Sequence, residues 1–274
     1  MARAIVTLAV GERCYRPWHD HLLPGWQCWC DRHGYQLVVF DHLLDTSAVA
    51  QNRSPAWQKL LAMAAPELRP FEQALWIDAD VMLCPWAPDP LEECDPNLVG
   101  MARDDGSPLA SEPLWFRDTW AQILKRSLAE PVPLGSEPFS YYDLWGFNAR
   151  QRPLYNSGVV AFSPRGHSEL FRGLYYRWLD GGSGALYEMI PLNLELNQRQ
   201  LLQELDGRFN RLFGVYHAVW RTEPDQFQRW RDITEGHLDL VGFADHLYQS
   251  SFFVHFAGAH GLMQQLLRDQ SPLL

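Results

Sequence analysis

The segment Ala74-Leu-Trp-Ile-Asp78-Ala-Asp80-Val-Met-Leu83 places two carboxylates, two positions apart, inside an otherwise apolar run. Such a run is typical of a buried strand, and a buried carboxylate without a partner is strongly disfavoured. On extended backbone the two side chains point to the same face. Because paired oxygen ligands suit Mg²⁺ or Mn²⁺, we predict that Asp78 and Asp80 bind a divalent metal. The alternative is a strand that ends in a solvated Asp-Ala-Asp turn.

Around this segment, the first half of the chain alternates between predicted strands and helices. Apolar runs predict strands over residues 4–10, 36–40, 74–77 and 98–101. Helical apolar spacing predicts a helix over residues 17–32 and another that begins at Ser54-Pro55. Strands joined through helices form right-handed crossovers and bind ligands at their carboxyl ends. We therefore predict a single α/β domain, residues 1–274, with a mainly parallel central sheet flanked by helices.

The second half of the chain is less regular. Residues 131–153 lack periodicity and are predicted to form a long mobile loop with a functional role. Asn156-Ser-Gly predicts a turn into a strand that runs to Phe162. Helices are predicted over residues 114–128, 166–179 and 192–205, and a last strand over residues 252–257.

Composition excludes several classes of function. The 274 residues are 47% hydrophobic and 20% charged, which is sufficient for a sizeable core. The net charge of −10, without a basic run, argues against a nucleic-acid groove and a polybasic membrane patch. No P-loop motif is present, and no segment approaches the ~20 apolar residues that cross a bilayer, although peripheral membrane contact stays open. Five cysteines without metal-ligand spacing are expected to be reduced thiols in a cytoplasmic protein.

Six short motifs follow one another along nearly the whole chain. They are Val6-Thr7-Leu8-Ala9, Trp57-Gln58-Lys59, Asp78-Ala-Asp80, Asn156-Ser157-Gly158, Glu188-Met-Ile-Pro-Leu192 and His255-Phe-Ala-Gly258. In this order they resemble GT-A glycosyltransferases, especially glycosyltransferase family 8 and related bacterial nucleotide-diphospho-sugar transferases. Each motif alone is weak, whereas the set is strong. The resemblance implies a Rossmann-like GT-A fold and transfer of a sugar from a UDP-sugar to a glycan, glycolipid or small-molecule acceptor.

The resemblance also implies which residues bind the donor and the metal. The residues that would contact the nucleotide sugar are Thr7, Leu8, Ala9, Lys59, Asp78 and Asp80. His255 would complete the shell of a Mn²⁺ or Mg²⁺ ion, although taken alone it could equally be a core histidine. Lys59, one of only two lysines in the chain, would bring its ammonium to the diphosphate unless it is simply exposed. Where the family has a phosphate-contacting lysine after its last motif, this chain has Ala259-His260-Gly261, so His260 supplies that contact or it is missing.

Two residues are implied in catalysis. Glu188 would lie beside the anomeric carbon of the sugar, as a base or as a group that stabilises positive charge. The alternatives are a glutamate that only favours a helix start, and Glu195 in the same role. Asn156 would bind the donor sugar or reach toward the acceptor. In the predicted loop, Tyr141, Tyr142 and Trp145 either stack on a sugar or pin the loop to the core.

The expected division of labour is a nucleotide-binding half, residues 1–103, and an acceptor-binding half, residues 104–274. Two alternative functions stay open at this point. One is a non-catalytic nucleotide-sugar or glycan-binding protein. The other is a sugar-1-phosphate nucleotidyltransferase, although Ala9-Val-Gly-Glu-Arg-Cys14 after the first predicted strand lacks its glycine-rich loop. The sequence leaves open the donor sugar, the acceptor and the stereochemistry.

Overall fold

The computed structural model of the protein describes residues 2–103, 112–127, 142, 147, 153–179, 187–233 and 238–268. Its strands are β1 (Arg3–Leu8), β2 (Tyr35–Phe40), β3 (Gln73–Ile77), β4 (Val81–Leu83), β5 (Val99–Arg103), β6 (Tyr155–Phe162), β7 (Leu202–Leu205), β8 (Arg211–Leu212) and β9 (Phe253–His255). Its α-helices are α1 (Glu12–Pro17), α2 (Leu23–His33), α3 (Ala48–Gln51), α4 (Gln58–Met63), α5 (Leu114–Ser127), α6 (Pro164–Arg177), α7 (Met189–Arg199), α8 (Phe213–Thr222), α9 (Pro224–Trp230), α10 (Leu240–Gln249) and α11 (His260–Arg268).

The central sheet has six strands in the order β2-β1-β3-β6-β5-β7. β1 pairs in parallel with β2 and with β3, and β5 pairs in parallel with β7. β6 lies antiparallel to both of its neighbours, β3 and β5, so the other five strands share one direction. The predicted mainly parallel sheet is therefore confirmed. Its one reversed strand carries residues 156–158 to the edge where β1 and β3 end.

A second sheet of three strands, in the order β4-β9-β8, lies beside that edge. β4 pairs antiparallel with β9, and in this register Val81 is opposite His255. The pairing brings residue 255 next to the aspartates that precede β4, although 175 positions separate His255 from Asp80. This contact between distant parts of the chain creates the candidate site.

Side chains of the central sheet alternate between two cores, as the pleat of a strand requires. Leu75 and Val159 face a core that includes residues of α2, α8, α10 and α11. Trp76 and Val160 face the opposite core, which includes residues of α4, α6 and α7. The sheet is thus covered on both faces, which is why its central strands consist of nearly uninterrupted apolar residues.

Local structure differs from the sequence prediction at three places. β3 ends at Ile77, so Asp78 and Asp80 lie on a turn between β3 and β4 rather than on continuous extended backbone. Asn156-Ser-Gly lies inside β6 because the strand pairs with β5 and β3 on its two edges. The predicted helix over residues 192–205 ends at Arg199, where Gln200 adopts φ 57°, and the chain then pairs with β5 as β7.

Most of the predicted loop, residues 131–153, lies outside the described residues, and so do Tyr141 and Trp145. All five cysteines carry free thiols, of which Cys14 and Cys28 are exposed. Within the part of the chain that the structure describes, none of the helices combines the length and the apolar character needed to cross a membrane.

One hydrogen bond ties α2 to the strand that follows the aspartates: the buried Trp26 indole Nε1 donates to the Val81 carbonyl over 2.8 Å. We expect Trp26→Phe to lower the free energy of unfolding by about 1–3 kcal/mol, because it removes this bond and part of a buried ring. Urea unfolding measures the change. The control is Trp86→Phe at a ring that is 45% exposed, where a change within ~0.5 kcal/mol is expected. Equal losses in the two variants would contradict this role of Trp26.

Candidate active site

Asp78, Asp80 and His255 converge at the carboxyl end of β3. One potential ligand atom from each of the three lies within 4.8 Å of the others. The His255 Nε2 atom is 3.2 Å from Asp80 Oδ1 and 3.7 Å from Asp78 Oδ2. Although the aspartates lie on a turn, they still point to one place, as a shared metal ion requires.

The charges around this cluster favour a divalent cation. Asp78, Asp80 and Glu188 bring three carboxylates to the site, and the Lys59 ammonium pairs with two of them. When His255 is neutral, two negative charges are left over, which is the charge that one divalent cation offsets. Carboxylate oxygens with one imidazole nitrogen are ligands that Mn²⁺ accepts. The residues present therefore fit the predicted metal.

Protonation of His255 and Asp80 reflects their mutual contact. Burial by itself would lower the pKa of His255, but the nearby Asp80 and Asp78 carboxylates outweigh burial and raise it. Burial would likewise raise the pKa of Asp80, but His255, His260 and Lys59 together lower it. The contact between the two side chains thus biases the pair toward an imidazolium beside a carboxylate when no metal is bound.

Lys59 lies between the metal cluster and the candidate catalytic carboxylate. Its Nζ atom is 2.9 Å from Asp78 Oδ1 and 3.1 Å from Glu188 Oε1, and it donates to the Ser157 carbonyl over 3.3 Å. Burial would lower the pKa of Lys59, but the two carboxylates raise it, so the side chain stays charged. The structure shows Lys59 as a buried bridge between carboxylates rather than an ordinary exposed lysine.

Glu188 occupies the N-cap position of α7 without a side-chain capping hydrogen bond, and it is nearly fully buried. The Ser157 hydroxyl donates to Glu188 Oε1 over 2.8 Å. Burial raises the pKa of Glu188, and the attraction of Lys59 offsets this effect only in part. The carboxylate of Glu195, the predicted alternative, is instead paired with Arg177 and Arg199.

Two adjoining clefts meet at this charged cluster. The smaller, about 250 Å³, is lined by Leu8 and Arg13 near the end of β1 and by His260 of α11. The larger, about 660 Å³, is lined by Glu188, Asn156 and His255 together with residues of α5 and α8. Both clefts are also lined by Ala56, Lys59, Asp78 and Asp80. The cluster thus forms the junction between two compartments.

The three residues predicted at the end of β1 are placed differently from one another. Leu8 lines the smaller cleft, whereas the side chains of Thr7 and Ala9 are fully buried. The Thr7 hydroxyl has no hydrogen-bond partner among the described residues. His260 lies 3.6 Å from Asp80 through its Nε2 atom, so it does stand at the edge of the metal cluster.

Among the described residues, two aromatic side chains from outside the predicted loop line the larger cleft. Tyr142 is buried, and its hydroxyl donates to the Pro153 carbonyl over 3.1 Å, which corresponds to a residue that pins the loop. Trp120 of α5 and Tyr187 line the cleft instead. Tyr187 has φ 34°, a conformation that non-glycine residues rarely adopt and that often accompanies a functional site.

Sequence reasoning also missed three groups that hold the cluster in place. The Trp76 indole donates to Asp78 Oδ1 over 2.7 Å. The Asn210 side chain contacts His255 Nδ1 at 2.8 Å. Gly158 lies against the His255 ring. Trp76, two positions before Asp78, and Gly158, in the Asn156-Ser157-Gly158 motif, have a sequence signal, whereas Asn210 has none.

No protein-family model matches the chain, and no curated protein matches it. Among solved structures, the chain is similar to a glycosyltransferase involved in the glycosylation of the major capsid of PBCV-1. The sequence identity is 15% and the TM-score 0.52, over 97% of this chain and 100% of that chain. Mouse xyloside xylosyltransferase 1 has 12% identity and a TM-score of 0.42, over 93% of this chain and 97% of that chain. The WbbM bifunctional glycosyltransferase has 12% identity and a TM-score of 0.45, over 94% of this chain and 46% of that chain.

The first of these likenesses shows a shared fold. Together with the central mixed sheet flanked by helices, it confirms the predicted GT-A-like α/β fold as a single domain. A fold hosts many chemistries, so the function must be argued from the site itself. Membership of glycosyltransferase family 8 stays a prediction.

Glycine at position 158 leaves room for the His255 ring, because a Cβ atom there would lie 2.2 Å from His255 Cε1 and 2.4 Å from Nδ1. We expect Gly158→Ala to displace the ring and weaken Mn²⁺ binding by roughly 10–100-fold, measured by calorimetric titration. The control is Gly173→Ala in α6, where the nearest atom would be 3.5 Å away and affinity should not change. Unchanged affinity in Gly158→Ala would contradict the assignment of His255 as a ligand.

Metal and proton compete for His255 Nε2, so Mn²⁺ affinity should depend on pH. Because Asp80 raises the pKa of His255, this competition extends above the ordinary value of about 6.5. We expect affinity to rise steadily between about pH 6 and 8, and this slope to flatten in His255→Gln. In the metal-free protein the pH dependence has the opposite sign. The stabilisation of the folded state that comes with the raised pKa of His255 is complete below about pH 6.5, and it is lost as the pH rises through that raised pKa. An affinity independent of pH in the wild-type protein would contradict ligation by His255.

Proposed function

We propose that the protein is a metal-dependent glycosyltransferase that moves a sugar from a nucleotide sugar, by family resemblance a UDP-sugar, to a sugar-containing acceptor. The observation that carries the proposal is the position of the Asp78–Asp80–His255 cluster at the junction of two clefts. A transferase needs its diphosphate site between a nucleotide compartment and an acceptor compartment. The buried Glu188 carboxylate borders the second compartment, where the sugar would be transferred.

Asp78, Asp80 and His255 would hold Mn²⁺ or Mg²⁺. When bound there, the cation supplies positive charge that stabilises the departing nucleoside diphosphate. Trp76 and Lys59 keep the Asp78 carboxylate fixed in the metal-free protein. This preorganised geometry lowers the cost of ordering the site when donor and metal bind.

The smaller cleft would hold the nucleotide, with Arg13 and His260 close to the phosphates. An acidic protein needs local cations of this kind to bind an anion. The two proposed halves of the chain contribute different residues to the two clefts. Residues 1–103 supply Leu8, Lys59 and both aspartates, while residues 104–274 supply His255, Glu188 and the wall of the acceptor cleft.

In the transfer step, the bond between the anomeric carbon and the diphosphate oxygen breaks, and a bond from that carbon to an acceptor hydroxyl oxygen forms. Glu188 would accept the hydroxyl proton in an inverting reaction. In a retaining reaction it would stabilise or attack the positively charged sugar ring, and the proton would leave with the diphosphate. Ser157 and Lys59 hold Glu188 Oε1 by hydrogen bonds and so orient the carboxylate. Asn156 lines the same cleft and would contact the sugar.

A thermal-shift titration tests donor and metal together. We expect one nucleotide sugar to stabilise the wild-type protein only with Mn²⁺, and Asp80→Asn to abolish this effect. Asp225→Asn, on the exposed surface of α9, is the matched control and should behave as wild type. Stabilisation that ignores Mn²⁺ and survives Asp80→Asn would reject the metal site and favour a glycan- or nucleotide-sugar-binding protein.

The catalytic role needs a second readout. With the donor identified, Glu188→Gln should lower turnover, including slow hydrolysis of the donor, by roughly 10²–10⁴-fold while Mn²⁺-dependent donor binding is kept. Turnover is followed as released nucleoside diphosphate. Full turnover in this variant would remove Glu188 from the mechanism. Release of pyrophosphate from a nucleoside triphosphate and a sugar 1-phosphate would instead indicate a nucleotidyltransferase.

A further inference from the structure

We propose that Asn210 is a positioning residue that fixes the proton of His255 on Nδ1 and thereby directs the Nε2 lone pair at the metal site. The inference rests on the proposed metal site but concerns groups outside its ligand set. Asn210 ends a short 3₁₀ turn, residues 207–210, immediately before β8. It lies in none of the six motifs that indicate the function.

The proton assignment follows from a backbone donor whose identity is certain. The Gly158 amide N–H donates to Asn156 Oδ1 over 2.8 Å, so that side-chain atom must be an oxygen. The Asn210 side-chain atom that lies 2.8 Å from the same oxygen must then be a donor, Nδ2. Asn210 Oδ1 therefore faces His255 Nδ1 at 2.8 Å, and only a protonated Nδ1 can donate to it. The chain of bonds has one consistent orientation.

Burial makes this orientation costly to change. Asn210 is 2% exposed and His255 is 3% exposed, so solvent offers few substitute partners. A flip of the Asn210 amide would place its Oδ1 atom against Asn156 Oδ1, so that two acceptors would face each other without a proton between them. An unpaired buried polar group costs about 1–3 kcal/mol. The series of hydrogen bonds from Gly158 through Asn156 and Asn210 to His255 is therefore fixed in one orientation.

Steric contact and hydrogen bonding act together on the ring. The Gly158 amide N–H donates the hydrogen bond that orients Asn156 and, through it, Asn210. Because Gly158 has no side chain, it also leaves the space that the His255 ring occupies. Asn210 then fixes the rotation of the ring by its bond to Nδ1. What is left is Nε2, which faces Asp80 and Asp78. Groups that hold the second nitrogen of a ligating histidine commonly change metal affinity by 10–100-fold.

Two variants of Asn210 separate its hydrogen bond with His255 from its hydrogen bond with Asn156. In Asn210→Leu both hydrogen bonds are lost, and we expect Mn²⁺ affinity to fall by roughly 10–100-fold. In Asn210→Asp the carboxylate still accepts the Nδ1 proton, so the tautomer should be kept, while the contact with Asn156 Oδ1 becomes repulsive. Asn193→Leu is the matched control, because Asn193 is equally buried but hydrogen-bonds Tyr155 and Met189. It should lose stability without a change in Mn²⁺ affinity.

The decisive measurement is the tautomer of His255 in the metal-free protein, read from long-range ¹H–¹⁵N correlations at a pH where the ring is neutral. We expect the Nδ1–H form in the wild type, in Asn210→Asp and in Asn193→Leu, and a loss of this form in Asn210→Leu. An Nε2–H form in the wild type, or an unchanged tautomer in Asn210→Leu, would overturn the proposal. Because no metal is needed, this outcome is independent of the proposed function. Failure of the wild type to bind Mn²⁺ would instead reject the metal site itself.

Discussion

The site depends on one electrostatic constraint, which is that three carboxylates are gathered around a single buried ammonium. Asp78 and Glu188 share Lys59, and Asp80 is left with the imidazole of His255. Buried charges persist only when they are paired and hydrogen-bonded, and breaking a buried pair commonly costs about 3–5 kcal/mol. The excess negative charge would favour a bound cation. The same contacts hold the side chains of the cluster in the positions that diphosphate binding would need.

The fold meets this constraint by bringing five separate pieces of backbone to one edge of the sheet, one of which is the start of α7 with Glu188. β3 delivers the aspartates, and α4 places Lys59 over the face that carries Trp76. The reversed strand β6 brings Ser157 and Gly158 alongside them. The small sheet adds His255 through its pairing with β4. In a wholly parallel sheet β6 would begin at the opposite edge and place Ser157 and Gly158 away from the aspartates, so its reversal is a structural requirement of the site.

The two halves of the chain are therefore interwoven at the site. The smaller cleft, proposed to hold the nucleotide, is lined mainly by residues before position 104, yet His260 and Met263 of α11 also line it. The larger cleft combines α5, α7 and α8 with the aspartates of the first half. Both clefts, proposed to hold donor and acceptor, are lined by these same two carboxylates. A change at Asp78 or Asp80 would thus affect both compartments, whereas a change at Trp120 or Arg13 would affect one.

The sequence by itself determined the class of fold and the chemical character of the site, because apolar periodicity, motif order and paired carboxylates are local properties of the chain. The order of its motifs, which resembles that of a known family, predicted a common site for five residues: Asp78, Asp80, Lys59, Glu188 and His255. Only the tertiary structure decided the reversal of β6, the turn that holds the aspartates and the assignment of Lys59 as a bridge. It alone revealed Asn210 and the space at Gly158. These depend on strand register and side-chain packing between segments 19 to 175 residues apart, and no short-range pattern encodes such contacts.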